Sequence, residues 1–138
     1  MTISEWIWRD GEYLAASQAT VHISTHGLHY ATAVFEGIRA YNGSVFLLRQ
    51  HLERLHQSTI GAMLGVLPYT VPQLSEVVLE LLRRNGMKDG YIRPIVFQGQ
   101  SGDLPSSLGV NRERGLSVAI MTRPWPAYLS GGKARVCT

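Results

Sequence analysis

Cysteine is nearly missing. Cys137 is the only one, which excludes a disulfide framework and makes a reducing cytoplasm the expected location. No apolar run approaches the roughly 20 residues needed to cross a bilayer, so no membrane partner is expected. The segment Met1-Thr2-Ile3-Ser4-Glu5-Trp6 has no cationic stretch leading into an apolar one and does not read as a signal peptide. Charged residues make up 17% of the chain, against roughly 25% in an ordinary soluble domain. So few charges suggest surface buried beyond one self-contained core, against another subunit or a further part of the same chain. The net charge is +3 and the arginines are scattered, so no basic stripe invites nucleic acid. Internal repeats and low-complexity segments are also missing.

Several chemistries lack their motifs. His22, His26 and His29 lie three or four apart, and His51 and His56 five apart. That spacing drifts and no carboxylate or cysteine joins it, so no metal site is expected. Nothing around a serine or Cys137 resembles a nucleophile elbow, and the glycines form no phosphate loop of the GxxxxGKS type. Lysine occurs only twice, as Lys88 in a turn and as Lys133 between glycine and alanine.

At 138 residues the chain can bury a core of its own. Trp6-Ile7-Trp8 and Tyr13-Leu14 flank Asp10-Gly11 as a short hairpin. Ala15 to Thr32 shows no clean period. From His29 to Tyr41 the pattern alternates: Val34, Glu36, Ile38 and Ala40 share one strand face, and Phe35, Gly37, Arg39 and Tyr41 the other. Asn42-Gly43 turns the chain, and Val45 to Leu48 reads as the return strand.

Arg49 to Leu64 reads as a helix with Leu52, Leu55, Ile60, Met63 and Leu64 on its apolar side, stopped by Gly65. A second helix starts at Thr70, with Gln73 completing a capping box. Its apolar face is Leu74, Val77, Val78, Leu81 and Leu82, and Gly86 follows Arg83-Arg84 at its end. Tyr91 to Phe97 is a strand whose Pro94 implies an edge or a bulge. Gln98 to Gly115 is too long for a simple turn, and Leu116 to Met121 is the last clear strand. This order predicts an α+β fold, a mainly antiparallel sheet flanked by two helices.

Candidate polar groups lie in separate elements: Tyr30, Arg39 on the hairpin, Arg54 on a helix, and Arg93 beside Tyr91. Arginine presents a planar donor fork matched to carboxylate or phosphate. Gathered near one sheet, these groups suit a small anionic ligand.

The segments HGLHYATAVFEGIRAY (26–41), HLERLHQS (51–58), YIRP (91–94), LGVN (108–111) and PWPAYL (124–129) occur in an order that resembles the branched-chain amino acid aminotransferases, fold-type IV enzymes using pyridoxal 5'-phosphate. The resemblance runs through almost the whole chain. It implies reversible amino transfer between leucine, isoleucine or valine and 2-oxoglutarate, as in branched-chain amino acid biosynthesis.

By the same resemblance, Arg54 binds the cofactor phosphate. Tyr30, Phe35 and Gly37 line the substrate pocket. Tyr91 and Arg93 stand behind it, the arginine taking the distal carboxylate of glutamate. Leu108 and Val110 reach a neighbouring subunit's site, implying a homodimer or higher homo-oligomer, and Trp125 and Tyr128 lie beside the pocket. The family's Schiff-base lysine belongs to a second domain and matches neither Lys88 nor Lys133, so no catalytic residue is expected in this chain and activity alone is not expected. The expected division is a small domain over 1–123, then a linker and the beginning of a second domain over 124–138. A D-amino acid aminotransferase, an aminodeoxychorismate lyase and a non-catalytic ligand-binding domain are the competing readings.

Overall fold

The turns follow from residues that accept positive φ. Asp10 (φ 49°) and Gly11 (103°) join strand β1 (Trp6–Arg9) to β2 (Glu12–Ala15). Asn42 (48°) and Gly43 (80°) join β4 (Ile38–Tyr41) to β5 (Ser44–Val45). The computed structural model describes residues 4–99 and 115–125. The return strand is shorter than its sequence suggests. Leu47 turns left-handed (φ 46°), and helix α2 (Leu48–Gly61) begins at once.

Pairing is antiparallel throughout, in the order β2-β1-β7-β6-β4-β5, with β3 (Ala33–Phe35) also on β6 (Gly90–Gln98). Strand β7 (Leu116–Arg123) pairs with β6 along its whole length, so β6 is an interior strand and Pro94 marks no edge. The proline acts on the other side of β6. The Glu36 N–H donates to the Pro94 carbonyl at 3.0 Å, and Pro94 has no N–H to return. The ladder therefore breaks at Glu36-Gly37, which divides the expected continuous strand into β3 and β4.

Helices α2 and α3 (Val71–Arg84) cover one sheet face, here the inner face. Leu52, Leu55, Leu74, Val78 and Leu81 pack with Ile38, Ala40, Ile92, Val96, Val118 and Ile120 in one core. The buried side of α2 is Leu52, Leu55 and Thr59. Ile60 and Met63, assigned to that side from the sequence, are exposed, because the true stripe recurs at three and four residues and skips them. Helix α2 ends before Gly65: Met63 takes the left-handed position (φ 55°), and the Leu64 N–H reaches back to the Thr59 carbonyl.

Helix α3 has the capping box. The Thr70 hydroxyl accepts from the Gln73 N–H, and the Gln73 side chain accepts from the Thr70 N–H at 2.8 Å. At its far end Gly86 (φ 59°) and Met87 close a Schellman motif onto Arg83 and Leu82. A short helix α1 (His26–Tyr30), without a sequence signal, lies near the Phe97 end of the opposite, outer face. No helix among the described residues is long and apolar enough to cross a membrane.

Candidate active site

Strand alternation builds the site on the outer face. Ile92, Pro94 and Val96 turn to the core, so Tyr91, Arg93 and Ile95 turn away from it. Tyr91 is the direct cross-strand partner of Arg39 on β4 and of Arg123 on β7, which makes a row Arg39–Tyr91–Arg123 across three strands. Trp125 follows β7 and sets its ring 5.3 Å from that of Tyr91. The Arg123 guanidinium lies 4.4 Å from the Trp125 ring centre and 5.2 Å from that of Tyr91. Arg39 approaches the Trp125 ring at 5.8 Å and donates from Nη2 to the Trp125 carbonyl at 3.4 Å.

Arg93 donates from Nε to the Tyr91 hydroxyl at 2.8 Å and lies 4.0 Å from the centre of the exposed Phe35 ring. Gly37 permits a close approach here. A Cβ at this position would lie 2.9 Å from the Tyr91 hydroxyl oxygen.

Three guanidinium groups thus share one face, and among the described residues no ion pair to a carboxylate involves any of them. The Nε atoms of Arg39 and Arg123 are buried without a hydrogen-bond partner. A hollow of about 240 Å³ opens beside Tyr91, Arg93 and Arg123. An apolar groove of about 310 Å³ adjoins it and shares Ile95 and Met121. A larger hollow of about 600 Å³ lies between the first hairpin and α3. Its cation Arg83 is already paired with Glu80, so among the described residues that hollow offers no unpaired cation.

A second cluster lies on the inner side of the break made by Pro94. Glu36 turns inward there and its side chain is 5% accessible. It accepts from Arg54 Nε at 2.5 Å and Nη2 at 2.6 Å, and it lies 3.0 Å from His51 Nδ1. The Arg54 hydrogen bond holds the Glu36 carboxyl below the usual glutamate range, against burial, which pushes it up, and with further help from His51. Arg54 is raised in turn, chiefly by its hydrogen bond to Glu36. The Arg54 side chain is 63% accessible. Its Nη1 has no protein partner among the described residues, so the outward edge of the fork remains available to an anion.

Phe35, Gly37, Tyr91, Arg93 and Trp125 are therefore gathered on the outer face, while Arg54 stands behind the same strand segment and meets it through Glu36. Tyr30 lies on α1, its ring 4.4 Å from that of His26. Leu108, Val110 and Tyr128 lie outside the described residues, as does Lys133. Two groups escape the sequence reading. Glu36 reads there only as one of an alternating set, without a partner. Arg123 lies two residues past the expected end of its strand, although its odd parity with Ser117, Ala119 and Met121 carries the signal.

Fold and site together define an α+β domain whose described residues gather arginines and aromatics on one sheet face. Residues 33–138 match the family Amino-transferase class IV, and the chain belongs to that family. It is 39% identical over 132 residues to the branched-chain-amino-acid aminotransferase of Escherichia coli (strain K12), covering 91% of this chain and 41% of that protein. A probable branched-chain-amino-acid aminotransferase of Rickettsia typhi is 43% identical over 97 residues, 70% of this chain and 33% of the relative. The crystal structure of the E. coli enzyme superposes with a TM-score of 0.81 at 34% identity, over 93% of this chain and 42% of that one. The branched-chain aminotransferase of the thermophilic archaeon Thermoproteus uzoniensis, solved with norvaline, superposes at 0.78 and 38% identity, over 91% and 42%. The chain spans about two fifths of the E. coli relative's length (41%).

Proposed function

We propose that this chain forms the small, substrate-facing domain (1–123) and the first linker residues (124–138) of a branched-chain amino acid aminotransferase using pyridoxal 5'-phosphate. The reaction moves an amino group between leucine, isoleucine or valine and 2-oxoglutarate. When bound, the cofactor supplies the electron sink for that exchange. Arg54 meets the cofactor phosphate through its outward edge, held in orientation by Glu36. Tyr30, Phe35 and Gly37 form the wall against the substrate side chain, and Trp125 and Tyr128 flank it. Leu108 and Val110 reach the neighbouring subunit's site in a homodimer. The single cysteine supports a cytoplasmic location.

The observation that carries this reading is the position of Arg93, bonded to the Tyr91 hydroxyl and lying over Phe35. A cation resting on an aromatic face is worth only about 0.5–2 kcal/mol, so the same pocket can keep it there for an apolar branched chain and present it to a carboxylate. Lys88 is exposed beside the Asn42-Gly43 turn, where its carbonyl accepts from the Gly43 N–H. Covalent cofactor chemistry needs a buried amine, and an exposed turn does not supply one, so Lys88 is not the residue that binds the cofactor covalently.

Leucine and D-alanine offered in turn with 2-oxoglutarate to the enzyme containing this chain test the function. Glutamate formed from leucine supports it, and glutamate formed from D-alanine alone replaces it with a D-amino acid aminotransferase. The 138-residue chain with pyridoxal phosphate and leucine is expected to form no 2-oxo acid.

A further inference from the structure

The row Arg39–Tyr91–Arg123 holds more positive charge than one distal carboxylate uses. Arg93 is bonded to Tyr91 and shielded by Phe35. Arg123 shares the 240 Å³ hollow with Arg93 and Tyr91. It has no ion pair among the described residues, and its Nε is buried without a partner. Tyr91 links the two arginines: each guanidinium lies 5.2 Å from its ring centre. Like charges lining one hollow repel, and a guanidinium leaving water without a carboxylate loses hydration that aromatic faces replace only in part. An anion entering the hollow relieves both costs, and the apolar Ile95 and Met121 beside it strengthen the attraction by excluding water.

We infer that Arg123 is a specificity-determining residue, forming with Arg93 a two-guanidinium clamp that favours dicarboxylates over branched monocarboxylates. The inference rests on the aminotransferase reading for the role of Arg93. The role of Arg123 comes from its own position opposite Tyr91 and above Trp125. Arg39, on the far side of Tyr91 and tied to the Trp125 carbonyl, steadies the indole that Arg123 rests on.

The test uses the ¹⁵N-labelled 138-residue chain, titrated with glutarate and separately with 4-methylpentanoate while the arginine Nε–H signals are followed. Glutarate is expected to move the Arg93 and Arg123 signals together. Arg123→Gln should weaken glutarate about tenfold, the loss of one charge-assisted pair, and leave 4-methylpentanoate unchanged. Arg123→Lys should recover part of the glutarate affinity at low salt. Equal weakening of both acids assigns Arg123 a merely structural role and overturns the clamp, as does no weakening of either or no recovery with lysine. If Arg93→Gln loses glutarate while Arg123→Gln does not, the clamp fails and the reading of Arg93 stands. If neither variant changes glutarate binding, or the wild-type chain does not discriminate the two acids, the distal-carboxylate role of Arg93 fails with it.

Discussion

Gly37 and Glu36 are neighbours with opposite tasks, one clearing space on the outer face and the other anchoring a cation on the inner. A methyl group at Gly37 meets only the far end of Tyr91, a side chain able to move. Gly37→Ala should therefore cost about 1 kcal/mol of stability or less. It should also shift the Nε–H resonance of Arg93, which is bonded to the displaced hydroxyl. An unmoved Arg93 signal would show that the close approach does not set its position.

Glu36 has its pKa lowered in the fold, so it contributes stability above the ordinary glutamate range. That contribution is lost as pH falls through about 4.3 towards the lower folded value. Thermal unfolding should become easier over that interval, and Glu36→Gln should flatten the dependence. Identical pH profiles for the two proteins would count against the pairing. Of these residues, Tyr91 and Arg93 were legible as candidates because residue type is local, while Phe35 and Gly37 were placed on one strand face by parity and in a pocket only by the family resemblance. The Glu36–Arg54 pair was not, since it joins positions 18 apart through the packing of α2.

At the scale of elements, local chemistry was most readable where backbone groups are satisfied by near neighbours. Thr70 and Gln73 cap α3 within one turn, and Thr70→Ala should lower stability by about 1 kcal/mol in a denaturant titration. The two Asx-Gly turns are legible for the same reason: positive φ is a property of the residues themselves. The face of α2 was misread, because Ile60 and Met63 are apolar without being buried. Leu55→Ala should cost about 2–5 kcal/mol, while Ile60→Ala should stay within about 0.5 kcal/mol. Comparable losses at both sites would restore the stripe expected from the sequence. Pro94 was legible as a fault in a strand. Its partner across the fault depends on which strands lie on either side.

Across the described residues, α2 and α3 cover one side of the sheet, and the arginine site and an apolar groove lie on the other. Val21 and Leu28, both exposed, line that groove. The purified 138-residue chain should therefore bind an apolar dye such as ANS and elute earlier from a sizing column as concentration rises. A dye-silent, concentration-independent monomer would contradict this. The sequence by itself determined the two Asx-Gly turns, the caps of α3 and the parity of the hairpin strand, since each depends on bonds or steric limits spanning a few positions. The tertiary structure alone decided that Arg39, Tyr91 and Arg123 form one row, that Glu36 holds Arg54, and that Pro94 opens an interior strand. Those facts depend on pairing between segments far apart in the chain, and a linear pattern carries no information about which distant strand supplies the neighbour.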